Sequence, residues 1–229
     1  MKKHINEKID KFVILADIMT RSIKMNVIAL NGSPHHDGGV ASGISVMKRE
    51  LEKEDISVEI IHVGNLNIHG CLDCRKCQGL GKCVIDGDPV NECRGRLLSA
   101  DGIILGSPVY YGGIAGNFKC FLDRLFFPGL DMPYKVGAVV TSVRRTGGIA
   151  TFQQLNNYLN LAQIIITPGI YWSVIHGRTQ EELTRDKEGV QIMETQGRNM
   201  AWLLKTLAAG KKEIPLPDQQ KKVRTNFIR

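Results

Sequence analysis

Short apolar runs alternate with longer mixed stretches along most of the chain. Several of these runs end in turn-forming residues such as Gly, Pro and Asn, which is typical of buried strands. They comprise residues 25–30, 102–106, 136–141 and 164–167, and residues 58–63 are strand-like as well. The stretches that follow them predict helices over residues 41–54, 90–98, 114–127, 149–161 and 190–209. The pattern therefore predicts five strands and five helices in alternation.

Strands that alternate with helices form β-α-β units, whose right-handed connections make the strands parallel. Runs without polar alternation indicate strands that are covered on both faces. The expected fold class is α/β, a flavodoxin-like doubly wound sheet of five parallel strands in a three-layer α/β/α arrangement. Ligands of such sheets bind beyond the carboxyl ends of the strands, so the turns after strands one, three and four are expected to form one site.

Three regions stand outside this alternation. Residues 64–88 contain Gly, Cys and charged residues without periodicity and predict a long loop, a feature that is uncommon unless functional. Residues 1–24 precede the first strand, and an amphipathic helix over residues 5–23 would be either a solvent-exposed extension or an arm that docks on another subunit. Residues 211–229 form a basic tail, which leaves residues 25–210 as the single expected domain.

The net charge of +7 is concentrated at the two ends of the chain. Residues 25–210 contain 18 Lys and Arg against 18 Asp and Glu and are formally neutral. Binding to a phosphate backbone requires a basic domain surface, so this distribution argues against a nucleic-acid partner. The hydrophobic fraction of 43% is sufficient for the core of one domain.

The sequence contains no stretch with the length of a membrane span or of a secretory signal. The apolar run near the N-terminus covers residues 12–16 and ends at Asp17, whereas a signal needs roughly 7–15 apolar residues and a span about 20. The protein is therefore expected to be cytoplasmic, with no membrane partner and no structural disulfides, because cytosolic thiols are kept reduced. Four of the six cysteines nevertheless crowd into one segment.

The turn after the first strand, residues 31–41, has the composition of a phosphate-binding loop. Its glycines let backbone N–H groups approach a phosphate, the Ser33 hydroxyl can donate to it, and the following helix N-terminus favours negative charge. The turn lacks both the Gly-Lys-Ser/Thr ending of ATP loops and the Gly-x-Gly-x-x-Gly dinucleotide pattern, which predicts a monophosphate ligand; an ordinary Gly-rich turn is the alternative. The candidate residues are Ser33, His35, Gly38, Gly39, Val40 and Ala41, with His36 as a further donor.

Residues 32–41 resemble the loop Gly-Ser-Pro-Arg-x-x-Gly-Asn-Thr-Ala of the flavodoxin-like NAD(P)H-dependent FMN reductases. Residues 101–112, followed by Lys119 and residues 122–124, are similar to a second signature of that family. The resemblance covers about residues 25–209 and implies FMN as the cofactor, with NAD(P)H as a candidate co-substrate. The departures from the family loop are His35 in place of Arg, Gly39 in place of Asn and Val40 in place of Thr.

The turn after the third strand, residues 107–113, places two aromatic residues between a proline and two glycines. Such a turn can lay backbone amides along a flat ring and stack an aromatic on its face, whereas the plainer interpretation is a hydrophobic loop under a helix. The resemblance implies that this turn and residues 141–148 contact the isoalloxazine, with Arg144 or its neighbour near the pyrimidine end. The candidate flavin contacts are Pro108, Val109, Tyr110, Tyr111, Gly112, Ser142, Arg144 and Gly147.

Three cysteines, Cys71, Cys74 and Cys77, occur at three-residue intervals, and Cys83 follows after a glycine-containing stretch. This spacing favours a [4Fe–4S] cubane over zinc, whose structural sites usually use two separated Cys-x-x-Cys pairs. Metal-free thiols are the third alternative. The spacing resembles the compact cysteine motif of the iron–sulfur flavoproteins, a branch of the same family. The cations that would offset part of the cluster's negative charge are Arg75, Lys76 and Lys82.

These features, with the resemblance, favour an FMN-dependent electron-transfer oxidoreductase whose cluster exchanges electrons with the flavin. The cofactors would carry the chemistry, so no catalytic acid or base is expected, and Asp123 and Arg124 are expected to form a structural pair. The alternatives are an NAD(P)H-dependent FMN or quinone reductase without a cluster, and a flavodoxin-like carrier without enzymatic activity. The electron donor is either NAD(P)H or a ferredoxin or similar carrier. A homo-oligomer, dimer or tetramer, is expected because members of the family commonly complete the flavin pocket with a neighbour's residues.

Overall fold

The strands of the described residues form one sheet with a parallel centre. The computed structural model describes residues 24–130, 132–177 and 179–220 together with residues 223, 225 and 227, so the expected N-terminal helix lies outside the described residues. The strands within that part of the chain are β1 (Asn26–Asn31), β2 (Ser57–His62), β3 (Gly102–Tyr110), β4 (Gly113–Ile114), β5 (Val136–Val143), β6 (Ile165–Ile166) and β7 (Val174–His176).

The strand order is β2-β1-β3-β5-β6, with β4 paired to β3 and β7 paired to β5. All of these pairings are parallel except the short β3–β4 hairpin. This is the flavodoxin-like order, in which the chain changes direction across the sheet between β1 and β3. The predicted fold class is therefore confirmed, and the carboxyl ends of β1, β3 and β5 lie side by side.

Helices cover both faces of the sheet. The helices of the described residues are α1 (Gly39–Glu52), α2 (Val90–Ser99), α3 (Gly116–Phe126), α4 (Gly148–Leu161), α5 (Gln180–Arg185) and α6 (Lys187–Gly210). Alternate residues of β1 enter opposite cores: Ile28 and Leu30 pack with α2, α3 and α4, whereas Val27 and Ala29 pack with α1 and α6. Because both faces of the strand are buried, its sequence is apolar throughout, and this gives the run that predicts it.

The fifth position of the sheet differs from the single predicted strand over residues 164–167. Two short segments share it: β6 lies beside the first residues of β5, and β7 lies beside its last three. Pro168 has no N–H for a ladder bond, so the chain leaves the sheet after Thr167 and returns at Val174. The sequence pattern missed β7, β4 and the short helix α5, because two, three or six residues are too few to show a period.

The long loop between β2 and α2 is present as predicted. Residues 64–88 contain turns and bends but no helix or strand. Among the helices of the described chain, none is both long and apolar enough to cross a bilayer.

Candidate functional site

The loops that follow β1, β3 and β5 lie against one another at the carboxyl edge of the sheet. A Cβ atom at Gly39 of the first loop would lie 2.1 Å from Ser142 Oγ at the end of β5. A Cβ atom at Gly147 would lie 3.2 Å from the Cα atom of Gly112, which follows β3. The structure thus brings together the three stretches that contain the candidate flavin residues.

The first loop is held in a compact turn by its own polar side chains. Asn31 Oδ1 accepts a hydrogen bond from the Ser33 N–H at 3.0 Å, and Ser33 Oγ accepts one from the His35 N–H at 3.1 Å. Gly38 occupies the N-cap position of α1 and has no side chain to bond the N–H groups of the first helical turn. Those groups, with the helix dipole, are the part of the loop that favours an anion.

The candidate residues of the first loop differ in their access to a ligand. The side chain of Val40 is enclosed in the core, so only its N–H can face a phosphate. Ser33 is also buried, whereas Gly38, Gly39 and Ala41 are half-buried. The side chain of His35 is exposed, and His35 stabilises the turn through the hydrogen bond that its backbone N–H donates to Ser33 Oγ.

His62, the last residue of β2, supports the first loop. Its Nε2 lies 2.6 Å from the carbonyl oxygen of Ser33, and its Nδ1 lies 2.8 Å from His36 Nε2. A carbonyl only accepts, so Nε2 of His62 carries a proton, and in the neutral ring Nδ1 accepts from His36. No local sequence signal indicates this contact, because 29 positions separate His62 from Ser33.

The second loop is a two-residue hairpin turn between β3 and β4. Tyr111 and Gly112 have φ values of 50° and 72°, as a type I′ turn requires at both central positions. Tyr111 is fully exposed, and Tyr110 beside it is 46% exposed. A non-glycine residue in the left-handed region is unfavourable, so the turn holds Tyr111 at a conformational cost. Pro108 and Val109, the other candidates of this loop, are half-buried.

The third loop follows β5 and contributes Ser142 and Gly147 to the same edge. Ser142 is buried beneath Gly39, and Gly147, with a φ of 88°, is the N-cap residue of α4. Arg144 and Arg145 are both exposed. Neither guanidinium is committed to the protein core, so both remain candidates for a contact with the flavin ring.

The four clustered cysteines line one cavity. Cys71, Cys74, Cys77 and Cys83 share it with Arg124, and its empty volume, which includes open solvent, is about 310 Å³. Within the described residues, no three His, Cys, Asp or Glu side chains converge as the ligands of one metal ion would. The four thiols instead line a common cavity.

Arg124 of α3 is a buried cation behind this cavity, and sequence analysis missed its place there. Its side chain is fully enclosed and forms an ion pair with Asp88. Its Nε donates to Cys83 Sγ at 3.3 Å. Burial disfavours the guanidinium charge, but the hydrogen bonds to Asp88 and Cys83 outweigh it, so the pKa of Arg124 is raised.

The expected pairing of Asp123 with Arg124 is wrong, because successive residues of a helix point in different directions. Asp123 instead accepts hydrogen bonds from Lys119 Nζ at 2.7 Å and from the Tyr158 hydroxyl. Burial, and then the hydrogen bond to Asp123, raise the pKa of Tyr158 to about 12. This group therefore stays neutral at physiological pH and fixes α4 against α3.

Two asparagines tie the long loop at its ends. Asn117 of α3 donates to the carbonyl oxygens of Gly64 at 3.1 Å and Leu66 at 2.6 Å. Asn91 of α2 donates to Cys83 O at 2.9 Å and accepts from the Cys83 N–H at 3.0 Å. Side chains, rather than a strand ladder, therefore place the cysteines.

Known proteins match most of the chain. Residues 25–179 match the family model described as NADPH-dependent FMN reductase. An iron-sulfur flavoprotein of Methanocaldococcus jannaschii is 30% identical over 192 residues, which are 80% of this chain and 99% of that protein. An iron-sulfur flavoprotein of Methanosarcina thermophila is 23% identical over 189 residues, 80% of this chain and 97% of that protein.

Solved structures agree with the fold. The structure of RosB with bound 8-demethyl-8-formylriboflavin-5′-phosphate matches with a TM-score of 0.64 at 15% identity, over 90% of this chain and 94% of that chain. At this level of identity the likeness concerns the architecture: a parallel sheet flanked by helices.

Proposed function

Since the chain belongs to the NADPH-dependent FMN reductase family and is an FMN-dependent oxidoreductase, we propose that the loops after β1, β3 and β5 form its FMN site. The observation that carries this proposal is the contact of Gly39 with Ser142 and of Gly147 with Gly112, which joins three loops into one edge. Ligands of doubly wound sheets bind at this edge.

The residues of the first loop would hold the phosphate of FMN. The N–H groups of the first turn of α1 and the Ser33 hydroxyl are donors, and the helix dipole favours the dianion. The hydrogen bond from His62 to Ser33 O keeps this turn in place. Residues 108–112 and 142–147 would lie along the flavin ring, where Tyr110 offers an aromatic face.

We further propose that Cys71, Cys74, Cys77 and Cys83 hold a [4Fe–4S] cluster. Three observations support this: the four thiols line one cavity, a buried guanidinium donates to one of them, and curated relatives that match most of the chain are named iron-sulfur flavoproteins. Such a cluster exchanges single electrons, whereas a flavin accepts one or two. The protein's own role would be to position the flavin and the cluster. Helix α3 connects the two sites, because it begins just after β4 and carries Arg124 near its end.

Anaerobic purification followed by cofactor analysis tests both assignments. Acid extraction and chromatography are expected to release FMN and no FAD, because the first loop offers a cradle for one phosphate. Iron and acid-labile sulfide are each expected at about four per chain after reconstitution. A colourless protein that also fails to bind added FMN would contradict the flavin site, and protein with FMN but no iron would contradict the cluster. Bleaching of the flavin by NADPH, compared with bleaching by a reduced ferredoxin, identifies the donor.

We also propose that the protein is a homo-oligomer whose partner copy covers the flavin edge. Tyr111 is fully exposed, and Tyr171 and Trp172, which form a ring pair 4.7 Å apart, lie on the exposed segment beside the end of β5. Burial of this much aromatic surface between two copies would stabilise a dimer. Light scattering at micromolar concentration is expected to give at least twice the chain mass of 25.4 kDa. A single species at the chain mass would contradict this proposal.

A further inference from the structure

The guanidinium of Arg124 directs all five of its N–H groups at one segment, residues 69–88. Nε donates to Cys83 Sγ at 3.3 Å, and the two terminal nitrogens form a two-pronged ion pair with Asp88. Each terminal nitrogen has a second hydrogen, and these go to His69 O at 3.2 Å and Ile85 O at 2.6 Å. An arginine has five such donors, so its bonding capacity is filled.

These contacts hold together the two ends of the cysteine loop, the part of residues 64–88 that carries the four clustered cysteines. His69 precedes the first cysteine by two residues, whereas Ile85 and Asp88 follow the last one. One rigid side chain on α3 therefore fixes the entry, the exit and one thiol of the segment at the same time. The loop has no ladder hydrogen bonds of its own to do this, and holding four thiols in place before a ligand arrives reduces the entropy lost on binding.

The chemistry of the guanidinium makes it hard to replace. A lysine would retain the charge but would present one compact ammonium in place of a planar fork, and it could not satisfy Asp88, two carbonyls and a sulfur together. Loss of the cation would leave the Asp88 carboxylate buried without its partner, which is strongly unfavourable. The side chain is fully enclosed, so solvent cannot substitute for it.

We propose that Arg124, with Asp88, is the positioning residue of the cluster site: it preorganises the four cysteines, and its N–H to Cys83 sulfur bond raises the reduction potential of the bound cluster. This inference rests on the proposed [4Fe–4S] cluster. A donor to a ligating sulfur stabilises the more negative, reduced state, and partners of metal ligands tune both affinity and potential.

The test compares Arg124→Lys, Arg124→Gln and Asp88→Asn with the wild-type protein after anaerobic reconstitution. Iron and sulfide per chain, FMN per chain and the cluster potential from an EPR-monitored titration are measured. The Arg124 variants are expected to lose iron about 10- to 100-fold faster to a chelator, to keep FMN, and to show a lower potential in the cluster that remains. Asp88→Asn is expected to lose iron faster as well, with a smaller shift in potential because the bond to Cys83 is retained. Arg96→Gln, which removes a half-buried arginine of α2 that pairs with Glu59 of β2, is the control and should match wild type.

The outcomes separate this inference from the proposed function. If wild-type protein binds iron and Arg124→Lys matches it in both chelator resistance and potential, the positioning role is wrong and the cluster assignment stands. If iron loss accelerates but the potential is unchanged, the sulfur bond has no electronic role and that half of the inference is overturned. Wild-type protein that binds no iron overturns the cluster and this inference with it. Retained FMN and a wild-type circular dichroism spectrum establish that a variant is folded.

Discussion

Replacement of Cys74 by alanine is expected to remove most of the iron from the protein and leave FMN bound. The loss of one thiolate typically makes a cubane labile, because the remaining three ligands leave one iron open to solvent. Cys74 is exposed on the rim of the cysteine cavity. The loops that follow β1, β3 and β5 do not contain Cys74, which lies ten residues after Gly64, so the parallel sheet and the first loop are expected to keep their contacts.

The measurement is iron, sulfide and FMN per chain in anaerobically prepared Cys74→Ala, with absorption near 400 nm as a second readout. Transfer of electrons to a one-electron acceptor should fall sharply, whereas reduction of the flavin by a hydride donor should persist. Cys93→Ala is the matched control, since Cys93 is buried on α2 and burial raises the pKa of its thiol to about 11, which keeps it inert. If Cys74→Ala expels FMN as well, the cysteine loop is part of the flavin pocket.

Replacement of Gly64 by alanine is expected to weaken FMN binding at a position that touches neither cofactor in our proposal. A Cβ atom at Gly64 would lie 2.1 Å from the carbonyl oxygen of Ser33. This contact is with backbone, which cannot turn aside as a flexible side chain can, so the phosphate turn must move. Overpacking of this kind costs about 1–3 kcal/mol, which corresponds to a loss of about 5- to 150-fold in affinity if the turn bears the cost.

Fluorescence titration of the apoprotein with FMN measures this effect. Gly95→Ala is the matched control: Gly95 is also a glycine, it lies within α2, and no atom would come within 4 Å of its Cβ. This control should bind FMN like wild type and gain up to about 1 kcal/mol of helix stability. Wild-type affinity in Gly64→Ala would mean that the turn held by Ser33 does not bind the phosphate.

The sequence predicts the central strands β1, β3 and β5 well, because their burial on both faces leaves a run of apolar residues. Runs such as residues 102–106 are apolar at every position, and a run of that kind has few alternatives next to helical stretches. The fifth strand position of the sheet was predicted less well. The chain leaves the sheet after Thr167, and Val174–His176 then complete it. A strand of three residues is too short to show a sequence pattern, and it is identified only by its pairing with β5.

Motifs indicated candidate residues that are neighbours in sequence, whereas contacts between sequence-distant residues were missed. Local motifs indicated the first loop, residues 31–41, and the cysteine spacing. Arg124 bonds to residues 36 to 55 positions earlier in the chain, and no local pattern indicates which sequence-distant groups a buried side chain will meet. The same holds for His62, whose partner Ser33 lies on a separate loop.

The way in which the cysteine loop is attached also determines which insertions and deletions the protein can tolerate during evolution. Residues 64–88 connect β2 to α2. Hydrogen bonds from Asn117, Arg124 and Asn91 on the neighbouring helices hold them in place. Lengthening a loop that is already long adds little closure entropy, about 0.6 kcal/mol for each doubling. Insertions or deletions between the loop residues that these three side chains hold are therefore expected to leave the sheet unchanged. The segment between these points can therefore be resized without a change in the sheet, and a transplant onto another doubly wound scaffold would have to include α3, which carries Asn117 and Arg124.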